Sequence, residues 1–184
     1  MQLDAKSSAL VLLDLQKGVL ARSVAPHSAA AVYRRSVDLA QRFRAAGASV
    51  IWVRVSFSAD LADAPNLPVD QPTDYRALPP GWDQLPELPP ASDLIITKRH
   101  WGAFHGTELD LQLRRRGIRR LVLGGIATHI AVESTARSAA EYGYELVIPE
   151  DLCSSLSAET HAFSFKHIFP RIARITASDR ISFE

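Results

Sequence analysis

Two charged side chains and one glycine-rich turn stand where a parallel α/β sheet would present a ligand. Asp14 follows the apolar run Ala9–Leu13 (ALVLL), and Lys98 follows Leu-Ile-Ile-Thr. In open parallel sheets, ligands bind outside the carboxyl ends of the strands. A carboxylate and an ammonium emerging there are candidates for acid–base work. The third feature is Gly124-Gly125-Ile126-Ala127-Thr128-His129-Ile130-Ala131, a strand end that turns into a helix. Glycines let such a backbone turn sharply, and the first N–H groups of the helix suit an oxyanion or carboxylate. Each feature also has a plainer reading. A strand-end carboxylate caps a following helix, and a strand-end lysine is often a solvated charge.

Weaker candidates surround these. Gln16 lies just past Asp14 and is placed to bond a substrate or the local backbone. Phe57, Trp101 and Phe104 are candidate walls for an apolar or aromatic substrate, with core packing as the alternative. His129 sits inside the turn, where a packed histidine competes with a catalytic one. Cys153 is the only cysteine, so no intramolecular disulfide and no thiolate metal cluster can form. His100, His105, His161 and His167 show no H-E-x-x-H spacing. No metal and no cofactor are expected.

The elements that must position these residues alternate. Ala9–Leu13, Val50–Val55 and Arg120–Leu123 are short, continuous apolar runs that predict buried parallel strands, with Leu94–Ile96, Glu145–Ile148 and Ile172–Ile175 as weaker ones. Helical spacing links Val32, Ser36, Ala40 and Phe43 before Gly47, and Leu109 and Leu113 before Gly117. A third helix is predicted from Thr128 to Gly143, and a fourth from Ser157 through about Lys166. Alternation of this kind implies βαβ units with right-handed crossovers and helices on both faces of one sheet. Ser56–Ser92 breaks the rhythm, holding eight of the eleven prolines. A connection that long is usually a lid, a contact segment or disordered, although Tyr75 and Trp82 suggest that parts of it pack.

Composition narrows the function classes. The chain has 184 residues, which suits one domain, and 21 basic against 20 acidic side chains give a formal charge of +1. That balance offers no electrostatic reason for nucleic acid or an anionic membrane as partner. The arginines at 114–116, 119 and 120 read as a solvated helix end. Nothing approaches the roughly 20 apolar residues of a membrane span. With one cysteine and no leader-like segment, a cytoplasmic location is expected.

Taken together, the segments Val11–Gly18 (VLLDLQKG), Ile96–Ile118, Leu121–Tyr144 and Ile148–Ile175 resemble the isochorismatase-like hydrolases over nearly the whole chain outside the proline-rich insert. The resemblance implies an αβα sandwich around a mostly parallel six-stranded sheet, usually in homodimers or larger oligomers. It also implies a non-proline cis peptide at Ile126–Ala127, with backbone N–H groups of Ile130 and Ala131 as oxyanion donors. Asp14 and Lys98 fall on the family's active-site positions, and Thr128, His129 and Ile130 on its substrate-binding turn. One departure stands out. Amidase relatives carry their nucleophilic cysteine where this chain has Ala131, whose methyl group cannot attack a carbonyl. Cys153, in the loop after the next strand, is a poor substitute. The loop after Val55 also lacks the D-x-H metal ligands of nicotinamidases. True isochorismatases lack the cysteine too, and cleave a vinyl ether with the aspartate as proton donor. The resemblance therefore implies a cofactor-free hydrolase of a small, carboxylated or cyclic molecule using Asp14 and Lys98. The alternative is a non-catalytic binding module on the same fold.

Overall fold

The computed structural model describes residues 1–184. In chain order the regular elements are β1 (Gln2–Leu3), β2 (Ser8–Leu13), α1 (Lys17–Leu20), α2 (Ala29–Ala45), β3 (Ser49–Val55), β4 (Leu94–Lys98), α3 (Leu109–Arg115), β5 (Arg120–Ile126), α4 (Glu133–Glu141), β6 (Glu145–Pro149), β7 (Cys153–Ser154), α5 (Ala158–Phe163), β8 (Arg174–Thr176) and β9 (Ser182–Phe183). The central sheet runs β4-β3-β2-β5-β6-β8, with β7 added against β5, and its pairings are all parallel.

Every residue of β2 is buried, as its unbroken apolar run predicts. Alternate side chains then feed two cores. Val11 and Leu13 pack with Leu109 and Leu113 of α3 and Ala136 and Ala139 of α4. Leu10 and Leu12 pack on the opposite face with Val32, Leu39 and Phe43 of α2. This gives the expected αβα sandwich. Burying one such leucine contributes roughly 1.5–3 kcal/mol, so β2 is the spine of the molecule. Ser28 starts α2 by accepting a hydrogen bond from the Ala31 N–H at 3.2 Å.

The sheet has seven strands where six were expected. β6 pairs with β5 only as far as Val122, and the chain then returns as β7 opposite Gly125 and Ile126. Leu152 lies against Gly124, where an added Cβ would come within 2.8 Å of its Cβ. At Gly125, whose φ is +144°, a Cβ would come within 2.2 Å of the Leu13 carbonyl oxygen. The Gly124-Gly125 pair is what allows two segments to close on the end of β5. The last sheet strand lies at Arg174–Thr176 rather than Ile172–Ile175, because Ile172 is held in the turn after Pro170 by its N–H bond to Phe169 O. The predicted third helix opens with one wide π turn, Thr128–Val132, before α4. The fourth, capped by Ser157, ends in another π turn, Ser164–Ile168. The peptide Ile126–Ala127 is cis.

The segment from Ser56 to Ser92 has one short helical turn, Tyr75–Ala77, and otherwise irregular backbone. It is nevertheless packed: Phe57 stacks edge-on against Tyr75 at 4.7 Å and lies 5.9 Å from Trp82. No helix is long and apolar enough to cross a membrane.

Candidate active site

Asp14 is the first residue beyond β2 and takes the left-handed φ of +56°, uncommon for a residue with a side chain. Its N–H remains tied to Val53 O at 2.9 Å, so the turn is anchored to β3. Lys98, the last residue of β4, is only 2% exposed. Its Nζ lies 2.8 Å from Asp14 Oδ2 and donates to Trp101 O at 2.6 Å. Asp14 Oδ1 is buried without a hydrogen-bond partner. An unpaired buried acceptor is costly and calls for a physical reason. Burial raises the Asp14 pKa above the usual carboxylate range, and the opposing pull of Lys98 does not cancel it.

This pair forms part of the wall of a cavity of about 180 Å³. Ile126, Ala127, Ile130 and Ala131 also line it, so the turn after β5 and both charges border one cavity. Phe57, Pro65, Thr73, Tyr75, Leu78 and Trp82 of the proline-rich segment line it too. Arg22, Arg99, His100, Trp101 and Leu156 complete the lining, and Trp101 is 65% exposed. Arg99 pairs with Asp63, tying the insert to the residue beside Lys98. The Ser58 N–H and the Arg99 guanidinium hold Asp63 down to about 2.

Asp14, Lys98, Ala131, Ile130, Phe57 and Trp101 are thus brought together around one cavity, Ala131 being almost wholly enclosed. Three predicted substrate contacts are not part of its lining. Gln16 is fully buried, and its amide is spent on backbone: it donates to Val55 O at 3.0 Å and accepts from the Val55 N–H at 2.9 Å. The Thr128 hydroxyl lies 2.9 Å from His161 Nδ1, while His161 Nε2 lies 2.7 Å from Glu150 Oε1. His129 bonds through Nδ1 to the Ser155 hydroxyl. The proposed oxyanion donor at Ile130 is also engaged, since its N–H donates to Ala127 O at 3.1 Å.

Cys153 lies in β7 beside Gly125, fully buried, and burial pushes its thiol pKa far up. Sequence reading missed Arg22, Tyr75, Trp82, Arg99 and Leu156 as lining residues. The one available signal for Trp82 was Gly18: its N–H donates to Trp82 O at 2.8 Å, and a Cβ there would strike the Trp82 side chain. No cluster of three His, Cys, Asp or Glu side chains is placed to hold a metal ion.

A parallel αβα sheet with a buried acid and lysine at its carboxyl edge, under a small apolar cavity, is a scaffold of small-molecule α/β enzymes. The isochorismatase domain matches residues 8–180, and the chain belongs to the isochorismatase family. It is 52% identical over 183 residues to the uncharacterized isochorismatase family protein YecD of Escherichia coli O157:H7, covering 98% of this chain and 97% of that one. An isochorismatase family protein from Burkholderia thailandensis shares the fold with a TM-score of 0.91 at 39% identity, covering 98% and 95% of the two chains. A streptothricin hydrolase from Streptomyces noursei is 30% identical over 144 residues, 78% of this chain and 48% of that one.

Proposed function

We propose that this chain is a cofactor-free hydrolase of a small carboxylated or cyclic molecule, using Asp14 as proton donor and Lys98 as its partner without a covalent intermediate. The observation that carries this reading is the Asp14 carboxyl: part of the cavity lining, buried, raised in pKa, bonded through Oδ2 to Lys98, and with Oδ1 left unpartnered. A protonated Oδ1 has a hydrogen to give. Ala131 supplies no nucleophile, and Cys153 is enclosed in the core with a raised pKa.

Vinyl-ether hydrolysis fits these groups. Asp14 would protonate the terminal vinyl carbon, leaving an oxocarbenium ion. Water then adds to the carbon that bears the ether oxygen and returns a proton to the Asp14 carboxylate. The resulting hemiketal collapses by passing its hydroxyl proton to the departing oxygen, which releases a ketone and an alcohol. Lys98 would hold Oδ2 and orient the acid, and a substrate carboxylate beside Lys98 would help keep the proton on Asp14.

The test is pyruvate release from isochorismate by the purified protein, with Asp14→Asn as control. Release that vanishes in the variant supports acid-catalysed vinyl-ether cleavage. Release that persists in the variant removes Asp14 from the chemistry, and no release from the unaltered protein removes this substrate.

A further inference from the structure

Three cations but only one carboxylate line the cavity: Arg22, Lys98 and Arg99 against Asp14. Lys98 is paired with Asp14, and Arg99 with Asp63 of the insert. Arg22 has no carboxylate within ion-pairing distance, and its exposed guanidinium carries the unbalanced charge of the cavity mouth. Its backbone, by contrast, is held. Arg22 follows α1, whose Lys17 and Gly18 N–H groups donate to Gln84 O and Trp82 O, each at 2.8 Å. Those bonds fasten α1 to the proline-rich segment, and the Arg22 N–H donates back to Val19 O at 3.1 Å. In the same lining, Phe57, Tyr75 and Trp82 form a contiguous aromatic group.

Aromatic walls alone would accept a flat ring of any charge, and aromatic groups also attract cations through their π faces. The one unpaired charge in the lining, on Arg22, opposes that second preference. We propose that Arg22 is the specificity-determining residue of this cavity, anchoring the anionic group of a flat, ring-bearing carboxylate whose ring lies against Phe57, Tyr75 and Trp82. The guanidinium is suited to this role because its planar fork meets a carboxylate through two parallel N–H bonds. The inference rests on the cavity being the substrate site of the function proposed above, but it concerns binding and requires no turnover.

Trp82 and Trp101 line the cavity, so intrinsic fluorescence reports its occupancy. The probes are benzoate, benzamide and benzylammonium, which share one ring and differ in charge. Benzoate is expected to bind about ten-fold more tightly than benzamide, the worth of one charge-assisted hydrogen bond, with benzylammonium weakest. Arg22→Gln should reduce the benzoate preference to within about two-fold, and Arg22→Lys should restore part of it. Equal affinities in the unaltered protein, an undiminished preference in Arg22→Gln, or no saturable benzoate signal would each overturn the proposal. Titrating Asp14→Asn in parallel separates the two readings. A preference retained there without turnover leaves the anchor standing, whereas turnover without a charge preference removes the anchor alone.

Discussion

Lys98 reaches Asp14 across an intervening strand. Asp14 follows β2 and Lys98 ends β4, and β3 lies between those strands in the sheet. The 2.8 Å contact arises because Asp14 turns away at φ +56° with its N–H still bonded to Val53 of β3, while the lysine is long enough to pass the end of that strand. The pair is therefore a property of the sheet edge, where two carboxyl termini converge, and its electrostatics follow from burial.

Removing Lys98 should move the working range of the acid. Lys98 pulls the Asp14 pKa down against the stronger effect of burial. Lys98→Met removes that pull, so the pKa rises further. A general acid must be protonated to act, so activity falls as pH rises through its pKa, and this falling limb should shift to higher pH in the variant. Stability should change in the same sense. A carboxyl whose folded pKa is raised binds its proton more tightly when folded, so the variant should lose stability as pH rises from 3.8 upward. The loss should approach about 3–5 kcal/mol, the usual cost of stranding a buried charge. A pH–rate profile and denaturant melts across pH check both.

Cys153 should be chemically silent. Its thiol is fully buried with a raised pKa, so iodoacetamide should label the native protein at least about a hundred-fold more slowly than a free thiol, and fully only after unfolding. In Ala131→Cys, one thiol borders the cavity, and mass spectrometry should find a single rapid label at that position. Overpacking in this nearly enclosed spot should lower stability by about 1–3 kcal/mol.

Gln16→Leu separates a structural amide from a substrate contact. The Val55 N–H and the Val55 carbonyl would lose their bonds to Gln16, which should cost about 1–3 kcal/mol in urea denaturation. Affinity for ligand should change little by comparison. A large loss of affinity at unchanged stability would return Gln16 to the site.

His161 should make the fold acid-sensitive. Burial lowers its pKa below 6.5, with Glu150 opposing and His27 adding to the effect. A histidine depressed on folding favours the neutral form, so its contribution is complete above 6.5 and is lost as pH falls through the lower folded value. His161→Gln should lower stability near neutral pH by about 1–2 kcal/mol through lost hydrogen bonds to Thr128 and Glu150, and should flatten the decline on acidification. Thermal melts at about pH 8 and about pH 5 measure the difference in slope.

How far the sequence foretold this depended on the range of the interactions involved. The apolar residues of Ala9–Leu13, and Leu121, Val122 and Leu123 of the run that Arg120 opens, announce strands because burial on both faces leaves no polar position among them. Asp14 and Lys98 were legible because a charge directly after such a run must emerge at its end. Gln16 looked the same in sequence, yet its amide turns back to the backbone of β3, which only the fold reveals. Arg22 carries no local signal, because its place at the cavity follows from how α1 is fastened to Trp82, 60 residues further along the chain. The Thr128–His161–Glu150 chain was equally hidden, being assembled from three separate segments.

The cavity lining has separate structural origins. Its acid, its lysine and the residues Ile126, Ala127, Ile130 and Ala131 belong to strand ends and the turn after β5; Arg22 follows α1, and the aromatic wall belongs to Ser56–Ser92. Strand ends tolerate little alteration, since Gly124 and Gly125 already leave no room for a methyl group. Irregular surface backbone accepts insertions and replacements readily. The proton donor and the aromatic wall are thereby separable heritable traits in this chain: descendants could exchange the wall to admit a different ring while inheriting the acid and the Arg22 anchor intact.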